Sequence, residues 1–213
     1  PKIKVIAVEP AGAACLKASL EAGEVTTVSK INTIADGTAV QTPGDKLFPY
    51  LQANVDHVIT VDDSELTLSF LDMAENHKMI VENSGLLTVA ALKHLDFKGK
   101  KVVSVLSGGN MDVLTMATVV QNGLMQRDRI FTVSVMLPDK PGQLAAVSSL
   151  IAKEQGNVIK LEHNVFANVN RTAGVELTIT LESFGTEHKD QIIKALEAAG
   201  YCPVITKTNG IYM

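Results

Sequence analysis

The alternation of apolar strand-like and helix-like segments changes once along the chain, near residues 122–128, and this change limits the possible folds. Before it, β-branched runs alternate with helical segments, which predicts a parallel sheet with helices on its faces. After it, the order is strand, helix, two strands, helix and strand, which is a split βαβ, or ferredoxin-like, unit. The sequence therefore predicts two α/β modules in tandem.

The first module is predicted to contain four strands, five helices and one long loop. Residues 25–43 show no periodicity, and such loops are usually functional or mobile. Asp62 and Glu65 predict an N-cap and an acidic first turn for the helix that follows. The predicted strands are residues 3–8, 57–61, 79–81 and 101–106, and the predicted helices are 11–22, 44–55, 62–77, 86–94 and, before the junction, 111–120. In the second module the predicted strands are 130–137, 158–168, 173–181 and 203–206, and the helices are 143–155 and 187–199.

The composition argues against several classes of protein. The formal net charge of −4 and the pI of about 5.7 do not favour a nucleic-acid partner. No apolar run approaches the roughly 20 residues that span a bilayer. Cys15 and Cys202 form no CxxC pair, so both are expected to be reduced thiols of a cytoplasmic protein. The five histidines lack ligand-like spacing, which argues against a histidine metal site.

Ser107-Gly108-Gly109-Asn110 lies where a predicted strand meets a predicted helix. Ligands of open α/β sheets bind outside the carboxyl ends of the strands. The two glycines would let a ligand approach the backbone, and the Ser107 hydroxyl can donate or accept a hydrogen bond. The same residues are also typical of a plain turn, so this motif alone leaves both interpretations open.

For three other segments, the sequence also allows both a structural and a functional interpretation. Glu82-Asn83-Ser84-Gly85 follows another predicted strand, where its carboxylate could orient a ligand or only cap a helix. Asp36-Gly37 is a common turn pair. Asp139-Lys140-Pro141-Gly142 either connects a strand to a helix or offers helix N–H groups to a carboxylate.

Four segments in this order, with this spacing, resemble the second half of threonine dehydratase, a fold type II pyridoxal-phosphate enzyme. Serine racemase and serine dehydratase share the pattern, and the second module resembles an ACT domain, an amino-acid-sensing unit. The segments are Val8-Glu9-Pro10, Ile34-Ala35-Asp36-Gly37, Val81-Glu82-Asn83-Ser84-Gly85 and Leu106-Ser107-Gly108-Gly109-Asn110. The resemblance implies that residues 1–124 are the C-terminal portion of a catalytic domain and that residues 125–213 are a regulatory ACT domain.

The resemblance also implies a reaction and a cofactor. The family converts L-threonine to 2-oxobutanoate and ammonia, a step of amino-acid metabolism such as isoleucine biosynthesis. Ser107 would hydrogen-bond the pyridine nitrogen of pyridoxal phosphate, while Gly37, Glu82 and Gly108 would line the cleft. A neutral hydroxyl would leave the ring unprotonated and a weaker electron sink, which suits β-elimination. A serine dehydratase or racemase, and a stand-alone amino-acid-binding ACT module, remain the alternatives.

Two elements of the family are missing from these residues. No Ser-x-Lys-x-Arg-Gly motif, which carries the Schiff-base lysine, occurs, and the only adjacent glycines are Gly108 and Gly109, so the four-glycine phosphate loop is absent too. We therefore expect this chain to be the C-terminal part of a longer lyase. Alone, it is expected to have no catalytic residue, to be inactive and not to retain pyridoxal phosphate.

The resemblance places a cation site of serine racemase-like members at Glu9 and the carbonyl of Ala13. A third ligand, an aspartate, corresponds to Cys15, and a thiol is a poor ligand for a hard cation. No divalent metal is therefore expected, whereas a monovalent cation held by carbonyls stays open.

For regulation, the resemblance implies a branched-chain amino acid, isoleucine or valine, as allosteric effector. The expected effector residues are Asp139, Gly142, Gln143, Leu144, Asn157 and His163. ACT domains commonly pair side by side, so a homodimer or homotetramer is expected. A domain that only dimerises is the alternative.

Overall fold

The computed structural model describes residues 3–164 and 174–208, and the chain divides into two compact units between Gly123 and Leu124. The first unit contains strands β1 (Ile6–Pro10) and β2 (His57–Val61) and helices α1 (Cys15–Ala22), α2 (Phe48–Asn54), α3 (Asp63–Asp72) and α4 (Leu87–Ala90). Helix α5 (Val113–Gln126) contains the boundary. The second unit contains β3 (Ile130–Leu137), α6 (Gln143–Lys153), β4 (Asn157–Asn164), β5 (Val175–Glu182), α7 (Thr186–Ala198) and β6 (Val204–Thr206).

The sheet of the first unit is a parallel pair, β1 beside β2, with Ile6 opposite His57 and Pro10 opposite Val61. A parallel pair requires a crossover, and α1, the long loop and α2 supply it. Apolar side chains from β2, α3, α4, the short turn before α4 and α5 contribute to the core of this unit: Val61, Leu66, Phe70, Leu86, Leu87 and Val119. The predicted α/β class with a parallel sheet is confirmed.

Helix α3 begins as the sequence predicts. The Asp62 side chain accepts a hydrogen bond from the backbone of Glu65, and the Glu65 carboxylate accepts one from the Asp62 N–H at 2.7 Å, which completes a capping box. The α-helical turns end at Asp72, and a wider π-type turn, Met73–His77, continues the segment to the predicted end. Lys78, with φ of 57°, then terminates it in the left-handed conformation.

Two predicted strands of the first unit are wrong. Residues 79–81 and 101–106 form no strand, because neither pairs with another strand among the described residues. The second segment instead contacts α4 through side chains: the Thr88 hydroxyl donates to the Val105 carbonyl at 2.9 Å, and the Ser104 hydroxyl donates to the Thr88 carbonyl at 3.3 Å. The β-branched Val103 is 88% exposed, so its side chain packs against nothing in this unit. Apolar composition indicated the strand character of these residues but could not supply a partner strand.

The remaining boundaries of the first unit shift by a few residues. β1 starts at Ile6 and runs to Pro10, and a short 3₁₀ turn, Ala11–Ala13, precedes α1. α2 starts only at Phe48, because Pro49 lacks an N–H and is tolerated in the first turn. α5 is longer than predicted and extends to Gln126.

The second unit is a four-stranded antiparallel sheet in the order β4-β5-β3-β6, with α6 and α7 packed against it. Its element order is the predicted β-α-β-β-α-β. The core consists of alternate residues of β3 and β5 and the apolar faces of both helices: Val133, Val135, Leu137, Leu177, Ile179, Leu181, Val147, Ile151, Ile192 and Leu196. Parts of two predicted strands, residues 165–168 and 173, lie outside the described residues.

The start of α7 is held by Asp128, which follows the end of α5 with φ of 54°. Its carboxylate accepts hydrogen bonds from the Lys189 ammonium at 2.9 Å and from the Thr186 hydroxyl at 2.8 Å. Partial burial acts to raise the Asp128 pKa, but the hydrogen bonds from Lys189 and Thr186, with the lysine charge, hold that pKa below its usual value. Asp128 therefore stabilises the second unit in its ionised form.

Candidate active site

Three turns of the first unit meet at one place: residues 33–38 of the long loop, residues 82–86 before α4, and residues 107–110 before α5. Glycine is required at two of these approaches, one to a backbone carbonyl and one to a side-chain carboxylate at a position with positive φ. A Cβ on Gly85 would lie 1.9 Å from the Ser107 carbonyl oxygen. Gly108 has φ of 84°, and a Cβ there would lie 2.3 Å from the Glu82 carboxylate.

The Glu82 carboxylate lies at the centre of this meeting point. Its Oε2 accepts a hydrogen bond from the Asn110 N–H at 3.0 Å, and the Glu82 N–H donates to the Gly108 carbonyl at 3.4 Å. A Cβ on Gly37 would lie 3.5 Å from Oε1 of the same carboxylate and 3.0 Å from the Ser84 hydroxyl oxygen. The structure thus brings together Gly37, Glu82 and Gly108, three of the residues singled out in the sequence.

Ser107, the fourth of these residues, is exposed in the same turns. Its hydroxyl has no hydrogen-bond partner among the described residues, whereas its carbonyl is fixed against Gly85. A hydroxyl held in this way is available to a ligand as a neutral donor or acceptor.

Sequence reasoning missed two neighbouring polar groups. The Asn83 amide nitrogen donates to the Ile34 carbonyl at 3.0 Å, but the Asn83 Oδ1 and the Ser84 Oγ are buried and have no hydrogen-bond partner among the described residues. Their place in the same turn as Glu82 was the available signal. Buried polar atoms without a hydrogen-bond partner lower the free energy of unfolding, so these two atoms make the turn less stable than a fully hydrogen-bonded one.

Glu9 and Ala13, the two candidates for a cation site, lie just before the start of α1. The Glu9 carboxylate accepts hydrogen bonds from the N–H groups of Leu16 at 2.8 Å and Lys17 at 2.9 Å, so it caps the N-terminus of α1. Ala13 is buried just before that helix. Burial raises the pKa of the Cys15 thiol, and the adjacent Glu9 carboxylate raises it further. Across the part of the chain that the structure describes, no group of three or more His, Cys, Asp or Glu side chains is arranged to hold a metal ion.

The proposed effector residues lie in two places of the second unit. Asp139, Gly142, Gln143 and Leu144 belong to the β3–α6 turn and the start of α6, where Gly142 has φ of 89°. His163, opposite Leu177, lies toward that end of the sheet. Asn157 lies opposite Glu182 at the other end and donates to the Glu182 carboxylate at 3.0 Å. Within one chain, the structure therefore brings His163, but not Asn157, toward the turn.

A cleft of about 560 Å³ lies in the second unit between the end of α6 and the start of α7. Within it, His188 Nδ1 accepts the Phe184 N–H at 3.0 Å and Nε2 lies 2.6 Å from the Glu154 carbonyl. Because a backbone N–H only donates and a carbonyl only accepts, these contacts fit the neutral tautomer with its proton on Nε2. The Phe184 and His188 rings stack with centroids 4.7 Å apart.

Comparison with known families agrees with this arrangement. Residues 1–108 match the family model described as pyridoxal-phosphate dependent enzyme, and residues 131–200 match the ACT domain. The chain belongs to the pyridoxal-phosphate dependent enzyme family. The family, the fold class and the appended ACT domain predicted from the motifs are thereby confirmed.

Two relatives and one solved structure define the likeness more closely. The chain is 36% identical over 210 residues to an L-threonine ammonia-lyase of Geobacter sulfurreducens, covering 97% of this chain and 52% of that protein. It is 34% identical to the L-threonine ammonia-lyase of Thermotoga maritima, covering 94% of this chain and 50% of the relative. The processed form of threonine deaminase isoform 2 from Solanum lycopersicum matches with a TM-score of 0.53 and 31% identity, covering 56% of this chain and 36% of that one. The chain thus spans about half the length of these two relatives.

The residues present fit one side of pyridoxal phosphate, the cofactor that this family implies. Ser107 offers an exposed neutral hydroxyl, and the glycines at positions 37 and 108 let the backbone approach the Ser84 and Glu82 side chains closely. The fixed Glu82 carboxylate supplies a polar wall. In this family such turns would face the ring of the cofactor, whereas the 213 residues contain neither the family's lysine motif nor its four-glycine loop.

Proposed function

We propose that this chain is part of a threonine ammonia-lyase, a lyase that converts L-threonine to 2-oxobutanoate and ammonia with pyridoxal phosphate. Residues 1–124 would contribute the C-terminal portion of the catalytic domain, and residues 125–213 the amino-acid-sensing domain. The observation that carries the proposal is the meeting of Gly37, Glu82 and Gly108 beside the free hydroxyl of Ser107. The names of the relatives at 34–36% identity support the substrate.

In this proposal each residue has a defined task. Ser107 would hydrogen-bond the pyridine nitrogen without transferring a proton to it, because a hydroxyl is far less acidic than a protonated pyridine ring. The Glu82 carboxylate, held by the Asn110 N–H, orients the turn that carries Gly108. Gly37 lets the long loop lie close to the Ser84 and Glu82 oxygens, which a larger residue would displace. The bound cofactor supplies the electron sink that allows a proton to leave the substrate Cα.

The proposal gives these 213 residues no catalytic group of their own. Without the lysine motif, they cannot form the Schiff base on which the family's chemistry depends. We therefore expect the isolated chain to be inactive and to bind pyridoxal phosphate at most non-covalently. The complete enzyme requires the lysine and phosphate loop on additional sequence.

The proposed regulation rests on the ACT domain. An amino acid, with isoleucine or valine as the expected effector, would bind near Asp139, Gly142 and Gln143, where the β3–α6 turn ends in a helix N-terminus. Pairing of ACT domains in a homodimer or homotetramer would allow His163 or Asn157 of one chain to approach the turn of another. A cytoplasmic location is supported by the two free cysteines, of which Cys202 is exposed.

The test is a turnover assay of the complete enzyme that contains this chain. With L-threonine and pyridoxal phosphate, we expect 2-oxobutanoate at a rate that falls when Ser107 is replaced by alanine, and none from the 213-residue chain alone. A preference for L-serine, with pyruvate as product, would replace threonine dehydration by the serine alternative. Absence of both products from the complete enzyme would contradict the proposal, and so would turnover by the isolated chain.

A further inference from the structure

Asp63 reaches from the start of α3 into the long loop, although the helix does not need it as a cap. Asp62 and Glu65 already form the capping box. The Asp63 carboxylate instead uses both oxygens on the loop: Oδ1 accepts the Thr33 hydroxyl proton at 2.6 Å, and Oδ2 accepts the Ile34 N–H at 3.1 Å. Hydrogen bonds to a charged carboxylate are the stronger kind, so this two-point attachment fixes the loop firmly.

Two more hydrogen bonds extend the attachment along the loop. The Ala35 N–H donates to the Thr33 hydroxyl at 3.1 Å, so Thr33 links that amide to Asp63. From the opposite side, the Asn83 amide donates to the Ile34 carbonyl at 3.0 Å. Ala35 between them is fully buried. Residues 33–35 are therefore fixed in position by groups on two different elements.

Gly37 follows directly, in the 3₁₀ turn Asp36–Thr38. The space between Gly37 and the Ser84 and Glu82 oxygens is narrow: a Cβ on Gly37 would lie only 3.0 Å and 3.5 Å from them. A small displacement of the loop would therefore change this wall of the proposed cofactor site. Misplacement of a reacting group by about 1 Å can reduce a rate about 100-fold.

We infer that Asp63, acting through Thr33, is a positioning residue that sets the place of Gly37 in the site. The inference rests on the proposed function, because it concerns one wall of the proposed cofactor site. Asp63 itself does not touch the site: its carboxylate is occupied by Thr33 and Ile34. The alternative is that Asp63 only adds favourable negative charge to the first turn of α3.

Two substitutions separate these roles. Thr33→Val keeps the shape of the side chain and leaves Asp63 and the charge of α3 unchanged, but it removes the hydroxyl that links the loop to the helix. Asp62→Asn removes one negative charge from the same helix start and preserves an N-cap residue, whose capping-box hydrogen bonds are with Glu65 of the helix itself. If Asp63 positions the loop, only Thr33→Val should change loop exchange and cofactor affinity. If Asp63 acts only through its charge, only Asp62→Asn should change them.

The first measurement is hydrogen exchange in the 213-residue chain, which needs neither cofactor nor activity. In Thr33→Val we expect the amides of Ile34, Ala35 and Gly37 to exchange at least about 10-fold faster, while α3 amides keep their rates. Asp62→Asn should leave the loop amides unchanged. Unchanged exchange in Thr33→Val would overturn the inference.

The second measurement is made in the complete enzyme. We expect Thr33→Val to weaken pyridoxal-phosphate affinity and to lower kcat/KM for L-threonine about 10- to 100-fold, and Asp62→Asn to change neither. Faster loop exchange with unchanged cofactor affinity and kcat/KM would also overturn the inference. If the wild-type enzyme eliminates nothing from threonine, the proposed function fails, and loop exchange together with cofactor affinity decides whether Asp63 positions Gly37.

Discussion

Replacing Ser84 by alanine should stabilise the ligand-free chain. Removal of a buried hydroxyl usually destabilises a protein because its hydrogen bonds are lost. The Ser84 hydroxyl oxygen, however, is buried and makes no hydrogen bond within the described residues. Leaving such a group unsatisfied costs about 1–3 kcal/mol, and the substitution removes that cost together with a single oxygen atom.

Ser19 provides the matched control. It is also buried, but its hydroxyl donates to the Cys15 carbonyl at 2.7 Å and accepts the Thr26 N–H at 2.8 Å. Ser19→Ala leaves both of those groups without their partner and should lower the free energy of unfolding by about 1–3 kcal/mol. Ser84→Ala should instead raise it by about 1 kcal/mol, because the small void offsets part of the gain.

Urea unfolding of the isolated chain measures both values, with hydrogen exchange of α1 and α3 amides reporting on the first unit separately. In a chain of this size, 1 kcal/mol corresponds to roughly 2–4 °C in Tm. A loss of stability in Ser84→Ala as large as that in Ser19→Ala would refute the reasoning. It would mean that the fold, or a bound water, satisfies the Ser84 hydroxyl.

Three further substitutions test other parts of the structure. Asp128→Asn should destabilise the second unit at neutral pH. Because the native Asp128 pKa is lowered, its stabilising contribution is present above the ordinary carboxylate pKa and is lost as the pH falls through the native pKa. The urea midpoints of wild type and variant should therefore converge in acid, and a constant difference between them would contradict this. Gly108→Ala would place a Cβ 2.3 Å from Glu82 at a residue with φ of 84°. It should lower the free energy of unfolding by at least about 1–2 kcal/mol and weaken cofactor binding in the complete enzyme. An equally stable variant with unchanged cofactor affinity would show that the turn can move. His188→Leu removes the hydrogen bonds to Phe184 and Glu154 and should cost about 1–3 kcal/mol by urea unfolding, whereas a neutral effect would show that the imidazole is not needed there.

Local signals predicted the elements best. The capping box of α3 lies within four residues, so its start could be predicted from Asp62 and Glu65. The second unit was predicted as a complete element order because each strand and helix has its own period and turn. The strands at residues 79–81 and 101–106 failed because a strand exists only with a partner, and pairing is not local.

The candidate site was predicted only in part, for a related reason. The glycines at 37 and 108 and the carboxylate of Glu82 were singled out through resemblance, and the structure supplied the close approaches that explain them. Ser84 belongs to the same segment as Glu82, but nothing in the sequence singles it out there, and Asp63 carries no motif of its own. Their importance follows from the packing of the long loop, which brings residues about 30 to 50 positions apart into contact and has no signature in the sequence.

The most direct test of the account is the protonation state of the cofactor ring in the complete enzyme. The nitrogen NMR shift of bound pyridoxal phosphate labelled with ¹⁵N in the pyridine ring should be that of an unprotonated nitrogen, because the partner proposed for that nitrogen is the neutral hydroxyl of Ser107. Ser107→Asp should move the shift to that of a protonated nitrogen. A protonated ring in the wild type, or a shift that the substitution leaves unchanged, would show that Ser107 does not contact the ring nitrogen and would contradict the account.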